Sequence, residues 1–572
     1  MEKPKFVIGA DYGTNSARFV LVNAGNGEIV VEHVYNYQGG EDGIILDSSR
    51  PLFAKQDTKE YFNAFYDCMD SILKQADRRE DFDRKNVVGI AVDTTGSTPI
   101  PVDSYLRPIG NAWLWKDKTS AEVSAAFNKL AREEWSVNRP DFTKYSGGLT
   151  SPEWMLSKVI QLAREDPEQY AVAASFVEHC DLMPAWICGE TDPKSIYRSR
   201  CAAGHKAHFH EEWGGLPSQE FIDNLALDVG IGPGLLDRLI EKLYSADRVV
   251  TADKKVGNMI HELAVKYGLN DIAVAAGAFD AHMGAVGVGI KPGVMTKIMG
   301  TSTCDMMVSS VEDAKLVEGI CGQVNGSIIP GMIGYEAGQS SAGDTLRWMR
   351  NIVLRTRNSV DDDCQFMATD AQKAEAFDYL SRNAARYGAA DVNIIAAEYF
   401  NGIRTPSVDP EARGMLLGLM LEHKPGEVYR ALVEGVAFGA LAIMRQFKEY
   451  ELNIDEVVAC GGLTKSDLVM QIHADVTGVP HKVSSVSQTC ALGAAMFAAV
   501  AAGVYENVEQ AQAAMNPVET RFKDKVYEPD MKAHEVYQRK FGAYDLARKN
   551  ALLPAKYLNE ALRQINQAKV IL

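Results

Sequence analysis

Phe6-Val7-Ile8-Gly9-Ala10-Asp11-Tyr12-Gly13-Thr14-Asn15-Ser16-Ala17-Arg18-Phe19-Val20-Leu21-Val22 decides the fold class. Two β-rich runs, Phe6 to Asp11 and Arg18 to Val22, flank a polar turn from Tyr12 to Ser16, the pattern of a tight hairpin. The turn is echoed at Gly300-Thr301-Ser302-Thr303, which runs into Cys304-Asp305-Met306-Met307-Val308. A weaker echo pairs the strand Val87 to Asp93, ending in Thr94-Thr95-Gly96-Ser97, with Val457-Val458-Ala459-Cys460-Gly461-Gly462. One such turn is an ordinary hairpin. Two, at corresponding places, predict a duplicated α/β unit whose turns face each other across a cleft and offer N–H groups and short hydroxyls to one phosphate chain. Polar residues gathered where strands run out mark the usual place for a pocket in an open α/β sheet.

At 572 residues the chain exceeds the roughly 250–300 at which a single core stops growing, so at least two domains are expected. The repeat places them at 1–290 and 291–515, followed by a helical tail over 516–572. Hydrophobic residues at 46% and charged residues at 24% exclude a disordered chain. With 76 acidic against 59 basic residues the net charge is -17, which repels a phosphate backbone or an anionic bilayer at long range. Neither nucleic acid nor a membrane is therefore expected as a partner. Nine scattered cysteines fit a reducing cytosol better than a disulfide framework. The apolar stretch Cys490 to Tyr505 is shorter than the ~20 residues a span needs and is expected to be a buried helix. Another helix, from about Val428 to Phe447, carries Gly435 and Gly439 four apart; each glycine costs a helix about 1 kcal/mol, which predicts close backbone packing there. A third starts at Ser466 and stops at Gly478, with Pro480 beyond. No GxxxxGK[ST] loop is present, and Gly287-Val288-Gly289 lacks the third glycine of a dinucleotide fingerprint.

From about Val7 to Tyr505 the sequence resembles the FGGY family of carbohydrate kinases, within the superfamily that also contains actin. The resemblance rests on Val92-Asp93-Thr94-Thr95-Gly96-Ser97-Thr98-Pro99, Leu114-Trp115-Lys116-Asp117, Ala203-Gly204-His205-Lys206, the run from Gly277 to Gly287, and Tyr335-Glu336-Ala337-Gly338-Gln339-Ser340. It extends into the second half through Gly461-Gly462, Ser466, Gln471, Ala474-Asp475, Gly478 and Pro480. It implies two actin-like (ribonuclease H-like) α/β domains with an interdomain catalytic cleft, and Mg2+ with ATP as phosphoryl donor. These stretches are most similar to the family's ribulose-phosphorylating branch. That implies ribulose and ATP as ligands and a cytoplasmic role in arabinose catabolism, and it allows a homodimer.

A sugar hydroxyl is a poor nucleophile, so the reaction needs a carboxylate to take its proton. Asp280 follows the apolar strand Ile272 to Ala275, precedes a glycine-rich helical start, and matches the family's catalytic aspartate; a helix cap is its simpler reading. Asp11 matches the position that holds Mg2+ in the family, and a turn-forming Asp is the alternative. Thr14, Asn15 and Ser16, with Gly300, Thr301, Ser302 and Thr303, are expected to line the phosphates, while Gly461 and Gly462 let the nucleotide approach the backbone. Ser97, Asp117, Lys206, Asp280 and Glu336 are the expected sugar contacts, because a polyol needs several directed polar groups; a surface cation is the simpler reading of Lys206 and a salt-bridge partner that of Glu336. Trp115 is either a flat wall of that site or ordinary packing. His205, His208 and His210 lack a recognisable zinc spacing. Gly338-Gln339-Ser340-Ser341-Ala342 narrowly misses a nucleophile elbow, since residue 342 is not glycine. A non-catalytic actin-like switch and a kinase for another polyol, such as xylulose or glycerol, remain the alternatives. Gly287, Gly289 and Gly293 are expected to form a hinge.

Overall fold

The computed structural model describes residues 3–135, 139–358, 369–409 and 412–550. Of the expected tail, residues 551–572 lie outside that range. The first sheet is built on β1 (Phe6–Tyr12), β2 (Ser16–Asn23), β3 (Ile29–Asn36), β4 (Val87–Thr94), β5 (Lys255–Asn258), β6 (Ala273–Ala275) and β7 (Ala278–Phe279). β1 and β2 form the expected hairpin, antiparallel from Phe6 opposite Asn23 to Tyr12 opposite Ala17. The Gly13 N–H closes its turn by donating to the Ser16 carbonyl at 2.9 Å. The order across the sheet is β3-β2-β1-β4-β6-β5, with β7 beside the end of β4. Every residue of β1 is buried, as a strand covered on both faces requires, which is why Phe6 to Ala10 is apolar without alternation before the strand ends at Asp11 and Tyr12.

The second sheet comprises β8 (Val294–Met299), β9 (Thr303–Ser310), β10 (Gly322–Asn325), β11 (Met332–Ala337), β12 (Glu456–Cys460), β13 (His481–Ser484) and β14 (Phe522–Tyr527), in the order β10-β11-β9-β8-β12-β13-β14. Apart from β10 here and β7 in the first sheet, the two sheets share one pattern of neighbouring strands. β8 and β9 form an antiparallel hairpin, β12 runs parallel to β8, and β13 parallel to β12, as β4 and β6 do beside β1. The tail over 516–572 is thus not wholly helical: β14 pairs antiparallel with β13, where an otherwise open edge finds its last partner.

The helices that bear on the site are α1 (Met155–Glu165), α2 (His179–Ile187), α3 (Arg200–Lys206), α4 (Asp280–Gly287), α5 (Gly343–Asn358), α6 (Pro425–Glu449), α7 (Asp467–Thr477), α8 (Thr489–Ala501) and α9 (Val508–Met515). In α7 the Ser466 hydroxyl caps by accepting from the Val469 N–H, and Gly478 closes the helix at φ +76°. In α6 a Cβ on Gly435 would stand 2.6 Å from the Ala396 carbonyl oxygen, and one on Gly439 1.9 Å from Glu398 Oε1. The strands of each sheet come from one half of the chain, but the helices do not keep to that division. α8, from the second half, lies against β1 and β4 of the first sheet: a Cβ on Gly9 would sit 1.8 Å from the Ala491 carbonyl oxygen. α8 also crosses α4 backbone to backbone, with Gly287 facing the Thr489 carbonyl and Gly493 facing that of Met283. One core cluster accordingly joins Val7, Val20 and Ala91 to Met306, Val308 and the alanines of α8. The helical residues 531–550 dock on α6 through Tyr537 and Lys540, which meet the buried Arg430–Glu434 pair. Among the described residues no helix is long and apolar enough to cross a membrane.

Candidate active site

β1 and β4 run parallel in a register that puts Asp11 beside Asp93, so two carboxylates leave the sheet at the same level. Asp280 joins them from the first turn of α4, directly after β7, whose Phe279 pairs with Thr94 at the end of β4. Burial and then the nearby Asp11 push the Asp280 carboxyl up to about 7, against the Ala281 N–H, which donates to its Oδ1 at 2.7 Å. Asp93 is fully buried, neither of its carboxylate oxygens has a hydrogen-bond partner, and burial with Asp11 and Asp280 beside it holds it well above the ordinary carboxylate range. Burial raises Asp11 as well, while Arg18, 3.3 Å away, opposes the shift. Two orphaned oxygens beside a second carboxylate form an all-oxygen, hard donor set of the kind that suits magnesium. The sequence signal for Asp93 was its neighbourhood, Val92-Asp93-Thr94; its proximity to Asp11 follows from strand register.

Asp280 opens into a cleft of ≈ 250 Å³ lined by residues of both halves, among them Thr14 and Ser302, one from each turn. The two repeated hairpins therefore face one cavity. On its far wall the Lys206 ammonium, at the end of α3, donates to both oxygens of Glu336 on β11 at 2.7 and 2.9 Å. Burial opposes both charges, yet Lys206, His205 and His282 hold the Glu336 carboxyl well below its usual range, and Glu336 in turn keeps Lys206 raised. Trp115 lines the cleft and also donates its indole N–H to the Thr14 hydroxyl at 3.0 Å, so it serves as wall and brace together. Arg404, which the sequence reading missed, reaches the same cavity from the second half, next to Asn401 and Ile403.

Two expected sugar contacts, Asp117 and Ser97, have partners within the protein and do not line the cleft. Asp117 is wholly buried; it accepts from the Ala54 N–H at 2.9 Å and pairs with Lys55 at 3.1 Å, which saturates it away from the cleft. The Ser97 hydroxyl donates to Glu178, and its carbonyl accepts from Lys158 at 2.9 Å. Thr95 and Gly96 line the cleft in its place. Lys158, on α1, also donates to the Trp113 and Leu114 carbonyls at 3.3 and 2.8 Å, so one buried ammonium ties the β4 loop to the segment before Trp115. Among the phosphate residues, Asn15 donates to the Asp42 carbonyl, Ser16 accepts from Arg18, and the Thr303 hydroxyl accepts from the Gln339 N–H. Their side chains shape the turns, while Thr14 and Ser302 reach the cavity and Thr301 is exposed. Gly461, at φ +97°, ends β12, and no atom lies within 4 Å of a Cβ placed on Gly462, so the backbone there is open to a ligand.

Models of the FGGY family of carbohydrate kinases match this sequence over residues 6–199 for the N-terminal domain and 295–502 for the C-terminal domain. The chain is 35% identical over 556 residues to the ribulokinase of Vibrio parahaemolyticus, covering 94% of each. It is 35% identical over 562 residues to that of Halalkalibacterium halodurans, again covering 94% of each. Among solved structures, the xylulose kinase of Rhodospirillum rubrum superposes with a TM-score of 0.76 at 20% identity, over 96% of this chain and 100% of that one, a likeness of fold.

Proposed function

The chain belongs to the FGGY family of carbohydrate kinases, and from that membership we propose that it transfers the γ-phosphoryl group of ATP to the terminal 5-hydroxyl of ribulose. The observation that carries this reading is the single cleft in which Asp280, the Lys206–Glu336 pair and the two hydroxyl turns converge. The choice of ribulose among sugars rests on the near full-length similarity to proteins named ribulokinase.

Lys206 and Glu336 supply a donor and an acceptor to the hydroxyls of the ketose, and Thr95 and Gly96 close over it from the end of β4. Asp280, poised near 7, takes the proton of the attacking hydroxyl. As that proton moves to the carboxylate, the new bond from sugar oxygen to phosphorus forms, the bond from phosphorus to the β-phosphate oxygen breaks, and ADP leaves. Asp11 and Asp93 would hold magnesium, which when bound neutralises charge on the phosphates. Thr14 and Ser302 approach the phosphate chain from the two halves, and Gly461-Gly462 leave room for the nucleotide. Free, scattered thiols support a reducing, cytoplasmic setting.

Incubation with ATP, Mg2+ and each ribulose enantiomer, followed by phosphorus–carbon NMR of the products, tests the reading. It expects ribulose 5-phosphate. Release of inorganic phosphate with no sugar phosphate would instead favour a nucleotide switch.

A further inference from the structure

We propose that the sugar pocket contains a second cation site, formed by His205, His282 and Glu336, that takes a borderline divalent ion such as Zn2+ in competition with the sugar. The three residues come from separate elements: the end of α3, the first turn of α4, and β11. All three are buried, and their nearest ligand atoms lie within 4.8 Å of one another. Glu336 Oε2 stands 3.4 Å from His205 Nδ1 and 3.8 Å from His282 Nε2. A tetrahedral zinc with bonds of about 2.0–2.2 Å separates its ligand atoms by roughly 3.3–3.6 Å, so the two separations from Glu336 fit to within a few tenths of an ångström, and the two imidazoles close in from a separation of at most 4.8 Å. Neither ring nitrogen of either histidine has a hydrogen-bond partner among the described residues. Buried polar groups are rarely left so, and imidazoles aimed at a shared carboxylate are equipped to bind a metal. Gly322 permits the arrangement, since a Cβ there would sit 2.0 Å from His205 Nδ1. His282 and Glu336 line the cleft, which gives the ion a path in and a fourth position for water.

The site differs in kind from the Asp11–Asp93 pair. Nitrogen donors select a zinc-like ion, whereas an all-oxygen set selects magnesium. Lys206 sets the strength of binding. Its ammonium donates to both Glu336 oxygens, at 2.7 and 2.9 Å, so a metal on Oε2 must displace the longer of the two bonds, and the ammonium charge repels the incoming cation. Affinity therefore falls in the micromolar range, well short of a structural zinc. Because Glu336 cannot serve both ligands, an occupied site excludes the sugar and leaves the nucleotide turns untouched. The sequence could not show this: His205, His208 and His210 have no zinc spacing, and the partners of His205 are 77 and 131 residues further along the chain.

The test is calorimetric titration of the metal-stripped full chain with Zn2+, without nucleotide or sugar, in a His33→Asn background that removes the peripheral His33–Asp67–Cys68 cluster. One ion per chain is expected, bound in the micromolar range, weakened at least about tenfold by His282→Asn, and unaffected by Asp11→Asn. Added ribulose should weaken it in proportion to its concentration. Only this competition arm rests on the proposed sugar reading, so the binding arm stands or falls separately. No micromolar binding, binding unchanged by His282→Asn, or binding lost in Asp11→Asn would each overturn the site. If His282→Asn does not fold, the spectrum of Co2+ bound to the unsubstituted site decides: intense tetrahedral bands support it, and weak octahedral bands overturn it.

Discussion

Asp280 is held where an ionised carboxylate is least favoured, half-buried beside Asp11, and its proposed work depends on that cost. Asp280→Asn keeps the size and removes the base, so kcat should fall by on the order of 10²–10⁴ with ribulose affinity little changed; turnover like the wild type in steady-state kinetics would remove Asp280 from that role. A base poised near 7 in the ligand-free protein also fixes the pH profile of kcat/KM, which should rise as pH climbs through about 7 and level off above it, because only the deprotonated carboxyl accepts a proton. Stability should run the other way. The folded-state value lies above the unfolded one, so ionisation costs stability increasingly from about pH 4 to 7, and Asp280→Asn should raise Tm more at pH 8 than at pH 5. Calorimetry at the two pH values measures this; a gain confined to acid pH would contradict it. The convergence of Asp280, Lys206 and Glu336 on one cleft was foreshadowed in the sequence, where each sits in a dense motif. Ser97 and Asp117 sit in equally dense motifs but are saturated by Glu178, Lys55 and backbone groups, and a motif does not distinguish a ligand contact from its support.

At the level of elements, the site depends on two contacts made without apolar side chains. The α4–α8 crossing brings backbones together at Gly287 and Gly493, where a methyl group would meet a carbonyl oxygen at 1.9 Å. Gly493→Ala should therefore cost about 1–3 kcal/mol or more and shift α4, which carries Asp280; chemical denaturation with parallel kinetics would register both, and an unchanged midpoint would show that the helices can part. Lys158 is the other contact. Its substitution by Met leaves the Ser97 and Trp113 carbonyls without that donor, each worth about 1–3 kcal/mol, while the Leu114 carbonyl keeps the Asp117 N–H at 2.9 Å. Lys158→Met should lower Tm and raise the KM for ribulose more than it lowers kcat, since the loop it ties carries Thr95 and Gly96. The hairpins, the Ser466 cap and the tight glycines of α6 were readable from local patterns. The placement of α8 on the first sheet was not, because an alanine-rich helix carries no signal of which sheet it covers. β14 was hidden too: Phe522–Tyr527 becomes a strand only because β13 leaves an edge.

Across the whole molecule, both halves line one cleft: Thr14 and Lys206 come from the first, Ser302, Glu336 and Arg404 from the second, and the Lys206–Glu336 pair joins the two. A misplacement of 1 Å can cost about 10²-fold in rate, so ligands held by both halves favour closure. Gly289 and Gly293, at φ +83° and +82°, join α4 to β8 and can absorb the rotation, whereas Gly287 is packed against α8 and does not belong to the flexible set. Small-angle scattering should show a smaller radius of gyration with ribulose and a non-hydrolysable ATP analogue than without; an unchanged profile at saturation would mean a preformed cleft. The central claim is the choice of sugar, and it is tested most directly by ADP release with ribulose, xylulose and glycerol side by side under Mg2+ and ATP. The account predicts the highest kcat/KM for a ribulose enantiomer. A clearly higher value for xylulose or glycerol than for either enantiomer would contradict it.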